Sequence, residues 1–440
     1  METNELKEIR EKINTLTKKY ADIKYKKNVF NPGQDIIPPS GKLLGSEELE
    51  NLVNSSLDGW LTAGRFNIEF ERKLSNFLGV KHVLTVNSGS SANLVAFSTL
   101  TSPKLNDRAI KKGDEVIGVA AGFPTTVNPI IQYGAIPVFV DVDIETHNIN
   151  AELVENAITS KTKAIMLAHA LGNPFNLDKI TELCKKYNLW LIEDTCDALG
   201  AEYNGKKVGT FGDIGTLSFY PAHHITMGEG GAVFMNSDEL KIIAESFRDW
   251  GRDCYCAPGK DNTCGCRFEQ QHGTLPYGYD HKYVYSHCGY NLKISDMQAA
   301  CGLAQLEKLD YFIERRRQNF DYLLENLQSI SDYVHFTSPT QNSNPSWFGF
   351  PMTIKENTGF NRVDLLKFLD QNKIGTRLLF AGNLVNQPYF ENINYRISGN
   401  IDNTNITMNN TFWIGVQPAL TEDHLKFVVN KFEEFFGVNF

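Results

Sequence analysis

Five cysteines fall into a pattern that could bind a metal. Cys254, Cys256, Cys264 and Cys266 crowd one short segment, and Cys196 stands upstream in Asp194-Thr195-Cys196-Asp197. The spacing from Cys196 through Cys254 and Cys256 to Cys264 is C-x57-C-x-C-x7-C. Four thiolates suit a structural zinc ion and equally an iron–sulfur cluster; ordinary reduced thiols are the third reading. The spacing is not that of a plant-type ferredoxin. Cys266 competes with Cys264 for the fourth place. Cys184, Cys288 and Cys301 read as packing residues.

Three further stretches carry groups suited to a cofactor. Ser88-Gly89-Ser90-Ser91-Ala92-Asn93 follows the strand-like run His82–Val86 and precedes an apolar helical pattern. A small-residue turn entering a helix offers free backbone N–H groups and a favourable dipole to a phosphate, or serves as a turn and nothing more. Glu193-Asp194 closes the run Leu189–Asp194, where ligands of open α/β sheets bind; an acid there could pair with a protonated ring nitrogen or cap a helix. Ser218-Phe219-Tyr220-Pro221-Ala222-His223-His224 leads into a Gly-rich stretch ending at Gly231. Its histidine pair offers a base with an ordinary pKa near 6.5, or two buried, hydrogen-bonded rings.

The elements that must hold these groups alternate. Asp114–Ala120 and Ile136–Asp143 are short Val/Ile-rich runs expected to form buried strands. Asn176–Asn188 places Leu177, Ile180, Leu183, Cys184 and Tyr187 on one helical face, with Asn176 as N-cap. This alternation predicts a mainly parallel α/β sheet. Residues 295–329 read as one long helical stretch, Thr337–Ser346 as a polar break, and Leu425, Val428, Val429, Phe432 and Phe436 as the apolar face of a terminal helix. Near the N-terminus, Leu6, Ile9, Ile13, Leu16, Tyr20 and Ile23 step by three and four, predicting a helix docked on the body or on a partner subunit. The divisions expected are an N-terminal helical segment over 1–56, a large cofactor-binding α/β domain over 57–325, and a smaller C-terminal α+β domain over 326–440. An insertion bearing the cysteines lies near 250–288.

From about Leu57 onward the chain resembles the DegT/DnrJ/EryC1/StrS sugar aminotransferases and dehydratases, on the aspartate-aminotransferase fold that binds pyridoxal phosphate. The resemblance rests on motifs in the family's order: Gly59-Trp60-Leu61-Thr62-Ala63-Gly64, Gly113-Asp114-Glu115-Val116-Ile117, Gly122-Phe123-Pro124-Thr125-Thr126, the Ser218–Gly231 stretch, Gly289-Tyr290-Asn291, and Gln298 through Leu306. It implies that Gly89, Ser90 and Ser218 hold a cofactor phosphate, helped by Asn291 across a homodimer interface. Phe123 would stack on the pyridine ring and Asp194 would pair with its nitrogen. The family's lysine position holds His223. Lysine forms a Schiff base with pyridoxal phosphate and histidine cannot, so the resemblance implies a cofactor held without a covalent bond, in its amine form, pyridoxamine phosphate.

Histidine at that position marks the family's 3-dehydratases, which remove the C3 hydroxyl of a nucleotide-linked 4-keto-6-deoxyhexose. The cysteine spacing resembles the iron–sulfur kind that acts on CDP-6-deoxy-4-hexulose in 3,6-dideoxysugar and O-antigen biosynthesis. By that resemblance Cys196, Cys254, Cys256 and Cys264 bind a [2Fe–2S] cluster, fed by a separate flavin/iron–sulfur reductase. His223 is the expected base; Tyr220 and Asp197 are further active-site candidates, and Phe348 and Arg377 are candidate substrate contacts. The alternatives are a cluster-free dehydratase acting on GDP-4-keto-6-deoxymannose and a non-catalytic iron–sulfur or zinc sensor on the same fold.

Composition limits the other classes. The 440 residues include 42% hydrophobic and 22% charged side chains with a net charge of −9, a globular composition with no overall bias toward nucleic acid or an anionic membrane. The first 27 residues are too charged for a secretory signal, and no uncharged apolar run is long enough to span a bilayer. A cytoplasmic enzyme is expected, where reducing conditions disfavour disulfides.

Overall fold

A computed structural model describes residues 3–26, 29–256, 259–263 and 265–438. Its main layer is an eight-stranded sheet in the order His82–Val86, Gly231–Met235, Ile214–Ser218, Trp190–Asp194, Thr162–Ala168, Glu115–Gly118, Ile136–Phe139, Arg396–Ile397. Pairings from Ile214–Ser218 through Arg396–Ile397 are parallel, and those made by Gly231–Met235 are antiparallel.

The central strands are apolar on both faces because helices cover both. Val116, Ala164, Met166 and Ile192 point into one core with Val95, Ala96 and Leu240. Their neighbours Ile117, Ile165, Leu167 and Leu191 point into the opposite core with Val154, Ile180 and Leu183. This is the period-two alternation of a strand. The helix Leu177–Tyr187 begins as expected: the Asn176 side chain accepts from the Lys179 N–H at 3.0 Å. The strands are shorter than the apolar runs that announce them, Glu115–Gly118 and Ile136–Phe139.

The long helical stretch is two helices, Asp296–Leu306 and Leu309–Asn326. Ala299 and Ala300 pack with Phe66 and Phe70, as do Leu309, Phe312 and Ile313 at the start of the second helix, whereas Phe320 and Leu323 further along it pack with the C-terminal residues. Lys308, between the halves, binds the buried Glu48 carboxylate at 2.8 Å. The C-terminal part is a four-stranded antiparallel sheet, Val334–Phe336, Gly349–Ile354, Thr411–Gly415 and Thr376–Leu378 in spatial order, covered by the helix Glu422–Phe436. Leu425, Val428, Val429, Phe432 and Phe436 are all buried, as their spacing predicts. The helix Asn4–Lys24 packs on Ser46–Asp58 partly through Arg10, which reaches Asp58 at 3.1 Å. Leu6, Ile9, Leu16, Tyr20 and Ile23 of its predicted stripe stay exposed. No helix among the described residues is long and apolar enough to cross a membrane.

One loop under the sheet's carboxyl end links fold stability to pH. His147 is buried with neither ring nitrogen hydrogen-bonded, and burial pushes its pKa down to about 4. Its neighbour Asn148 donates to the Asn173 carbonyl at 2.9 Å and accepts from the Ala170 N–H at 3.1 Å. A depressed histidine pKa means the unfolded chain binds the extra proton first, so this contribution is present above pH 6.5 and is lost as pH falls toward 4. Lowering pH from 7 to 5 should cost about 2 kcal/mol through His147 alone. Urea unfolding of the protein and of His147→Gln at both pH values checks this; equal losses in the two would contradict it.

Candidate active site

A cavity of about 650 Å³ opens where the carboxyl ends of the central strands meet the C-terminal sheet. Gly89, Ser90, Phe123, Asp194, Cys196, Asp197, Ser218, Tyr220, His223, Phe348 and Arg377 all line it. The fold therefore brings together eleven residues singled out along more than 280 positions of sequence. No lysine lines the cavity among the described residues.

One wall is the turn into the helix Gly89–Leu100. Ser88 Oγ caps that helix by accepting from the Ser91 N–H at 3.1 Å, leaving the first-turn N–H groups directed at the cavity end. A Cβ on Gly89 would stand 2.5 Å from the Ser218 Cβ, 2.8 Å from its Oγ and 3.2 Å from Cys196 Sγ. Only glycine permits that approach, which draws the turn and the end of the Ile214–Ser218 strand into one cradle.

The floor is Asp194, the last residue of Trp190–Asp194 and nearly fully buried. Its Oδ2 accepts from Asn93 Nδ2 and Thr126 Oγ1, each at 2.8 Å, and its Oδ1 accepts from the Cys196 N–H at 3.1 Å. Asn93 is itself fixed, accepting from Thr216 Oγ1 at 2.7 Å. Three donors thus fix the orientation of its two oxygens. Asn93 and Thr126 have no assigned role in the sequence reading, although both lie inside motifs it quotes.

The facing wall is the turn after Ser218. The His223 N–H donates to the Tyr220 carbonyl at 2.9 Å, and its Nδ1 lies 3.3 Å from Asp197 Oδ1, at ion-pair distance but outside hydrogen-bond geometry. Burial pushes the Asp197 carboxyl up; His223 and, more distantly, Arg316 pull it down, and Asp194 adds to the rise. The His223 ring is 5.2 Å from that of Phe348. His224 turns the other way: its Nε2 meets the Ser346 carbonyl at 3.0 Å, and burial holds its pKa well below the ordinary value. It is a neutral packing group.

Phe123, half-exposed, heads the helix Pro124–Tyr133 and meets Phe380 edge-on at 6.4 Å. Phe348 is held by its N–H donating to the Leu171 carbonyl at 2.8 Å. Beside that contact a Cβ on Gly172, at φ +92°, would stand 2.0 Å from the Ser346 oxygen. Arg377 is exposed at the rim, its Nη1 satisfied by the Thr376 carbonyl at 2.8 Å. Asn291 is exposed, bridged by its backbone to Asp249, and is not part of this cavity's lining.

The thiols are divided. Cys196 lines the cavity just described, where burial, reinforced by Asp194, holds its thiol well above the ordinary value. Cys254 and Cys256 line a separate cavity of about 1360 Å³ with Trp60, Arg248 and Lys293. Cys264 lies outside the described residues. Among those described, no three His, Cys, Asp or Glu side chains form a metal-binding group. Cys254 and Cys256 thus line one cavity and Cys196 another.

Residues 43–433 match the profile of the DegT/DnrJ/EryC1/StrS aminotransferase family. The chain is 65% identical to the lipopolysaccharide biosynthesis protein RfbH of Salmonella typhimurium, over 98% of this chain and 99% of that one. It is 50% identical to dTDP-4-dehydro-2,6-dideoxy-D-glucose 3-dehydratase of Saccharopolyspora spinosa, over 92% and 88% of the two chains. A solved structure of the E. coli GDP-4-keto-6-deoxy-D-mannose 3-dehydratase with bound hydrated pyridoxal phosphate superposes with a TM-score of 0.80 at 30% identity, covering 92% of this chain and all of that one.

Proposed function

The chain belongs to the DegT/DnrJ/EryC1/StrS aminotransferase family, and from that premise we propose that it is a nucleotide-sugar 3-dehydratase using pyridoxamine phosphate. The observation that carries this reading is a cavity of about 650 Å³ lined by His223 and, among the described residues, by no lysine. An aminotransferase needs a primary amine there; a dehydratase needs a base. Relatives named as 3-dehydratases of dTDP- and GDP-linked sugars support the reaction class.

The residues present fit the cofactor. The Gly89–Ser218 cradle, too tight for a Cβ, suits a phosphate at a helix N-terminus. Asp194, oriented by Asn93 and Thr126, suits a protonated ring nitrogen, and Phe123 offers an aromatic face. When bound, pyridoxamine phosphate supplies an amine that condenses with a ketone and a ring that draws electrons from its C4′ carbon. Asp194 keeps the ring nitrogen protonated. Asp197 faces His223 Nδ1, leaving Nε2 as the base that takes the C4′ proton. Hydroxide is a poor leaving group, so the C3 hydroxyl needs a proton, returned by His223 or given by Tyr220 at the cavity wall. Phe348 and Arg377 are the substrate contacts in this reading, with Arg377 suited to a diphosphate.

The finer reading is that Cys196, Cys254, Cys256 and Cys264 hold a [2Fe–2S] cluster, with CDP-6-deoxy-4-hexulose as substrate, a flavin/iron–sulfur reductase as electron donor, and a homodimer in which Asn291 reaches the neighbouring phosphate site. It is supported by the chemistry of four thiols and their spacing. The second reading, a cluster-free dehydratase, is supported by the likeness to GDP-4-keto-6-deoxy-D-mannose 3-dehydratase. Iron and acid-labile sulfide analysis of anaerobically purified protein separates the two. The cluster reading expects about two irons and two sulfides per chain, both lost in Cys254→Ser. Absence of iron, or zinc without sulfide, would remove it while leaving the dehydratase intact.

A further inference from the structure

Arg316 lies on the helix Leu309–Asn326 and is 1% exposed, the largest fully buried side chain of the chain's described part. Its sequence neighbours Arg315 and Arg317 suggest a solvated basic run, yet its environment is the back of the active site. Nη1 donates to the Trp347 carbonyl at 3.2 Å and the Phe348 carbonyl at 3.1 Å; Nη2 reaches the His223 carbonyl at 3.5 Å. Nε has no partner among the described residues. One turn on, Phe320 stacks on Trp347 with ring centroids 3.8 Å apart, docking the same helix face on the same segment.

Burying a guanidinium is costly unless its donors and charge are answered. Here three backbone carbonyls answer the two Nη groups, Nε is left without a partner among the described residues, and the charge of Asp197 acts favourably on the guanidinium. The two chain segments that Arg316 joins carry His223 and Phe348, whose rings face each other at 5.2 Å on the cavity wall.

We propose that Arg316 is a positioning residue for the base: its fork ties the His223 backbone to the Trp347–Phe348 backbone, so that the His223 ring is aimed into the cavity. This rests on the reading of His223 as the base. Arginine is suited because one planar group answers carbonyls on two segments at once, which an ammonium on a flexible stem does less well.

Arg316→Met and Arg316→Lys test the assignment by two readouts. With CDP-6-deoxy-4-hexulose as probe, Arg316→Met should lower kcat by about 10²-fold, the scale of a small misplacement of a reacting group, with KM nearly unchanged. Arg316→Lys should fall between it and the parent. Independently of turnover, 15N spectra of histidine-labelled protein should place the His223 ring proton on Nδ1 in the parent and show that signal altered in both variants. If Arg316→Met does not fold, Arg316→Lys carries the test by the same two readouts. Parent-like kcat together with an unchanged His223 signal would overturn the proposal. Turnover retained by His223→Asn would instead overturn the reading of the base, a separate result.

Discussion

His223→Asn should lose about 10³- to 10⁴-fold in turnover, the upper range for removing a positioned general base, while still binding pyridoxamine phosphate. Asparagine is close to the imidazole in reach and keeps the backbone N–H that donates to the Tyr220 carbonyl, so the turn after Ser218 should survive. What is lost is the imidazole that acts as the base in this reading. Loss of deuterium from the C4′ position of labelled pyridoxamine phosphate, followed in the presence of the keto-sugar, reads the step directly. Washout at the parent rate in His223→Asn would transfer the role to another group, Tyr220 first.

Asp194→Asn should lower turnover by about 10²- to 10³-fold, the scale set by removing one preorganised electrostatic partner. The reasoning comes from the donor count. Asp194 accepts from Asn93, Thr126 and the Cys196 N–H. An asparagine has one acceptor oxygen, so either orientation sets its NH2 against a donor, costing about 1–3 kcal/mol for the mismatch. A neutral amide also cannot hold a proton on the ring nitrogen. The expected result is a folded protein with a modestly lowered thermal midpoint, bound cofactor with a shifted absorption band, and a large loss of kcat. Parent-like kcat would show that the ring is not held as a cation by this residue.

Much of this site is legible in sequence because short motifs carry it. The Ser88–Asn93 turn, Asp194 at a strand end and His223 in its glycine-rich stretch need only local patterns to be noticed, and the sheet then gathers them at its carboxyl edge. Asn176 as a helix cap and the terminal helix's apolar face were equally local signals. What escapes is whatever depends on distant contacts. The roles of Asn93 and Thr126 come from both converging on one carboxylate oxygen. The burial of Arg316 escapes because it is decided by the segments around Phe348 and His223, 32 residues after it and 93 before. The break at Lys308 escapes for the same reason: the apolar stripe continues through it, and the lysine between the two helices is held by the distant Glu48. The cysteine spacing is plain in sequence, whereas the cavities that Cys196 and the Cys254–Cys256 pair line are set by the fold.

The central claim is that a histidine stands where relatives anchor pyridoxal phosphate through an amine. Borohydride reduction of protein loaded with pyridoxal phosphate, followed by peptide mass spectrometry, tests it most directly. The parent should carry no stoichiometric pyridoxyl-lysine, whereas His223→Lys should acquire one at residue 223. A stoichiometric adduct on any lysine of the parent chain would contradict the claim.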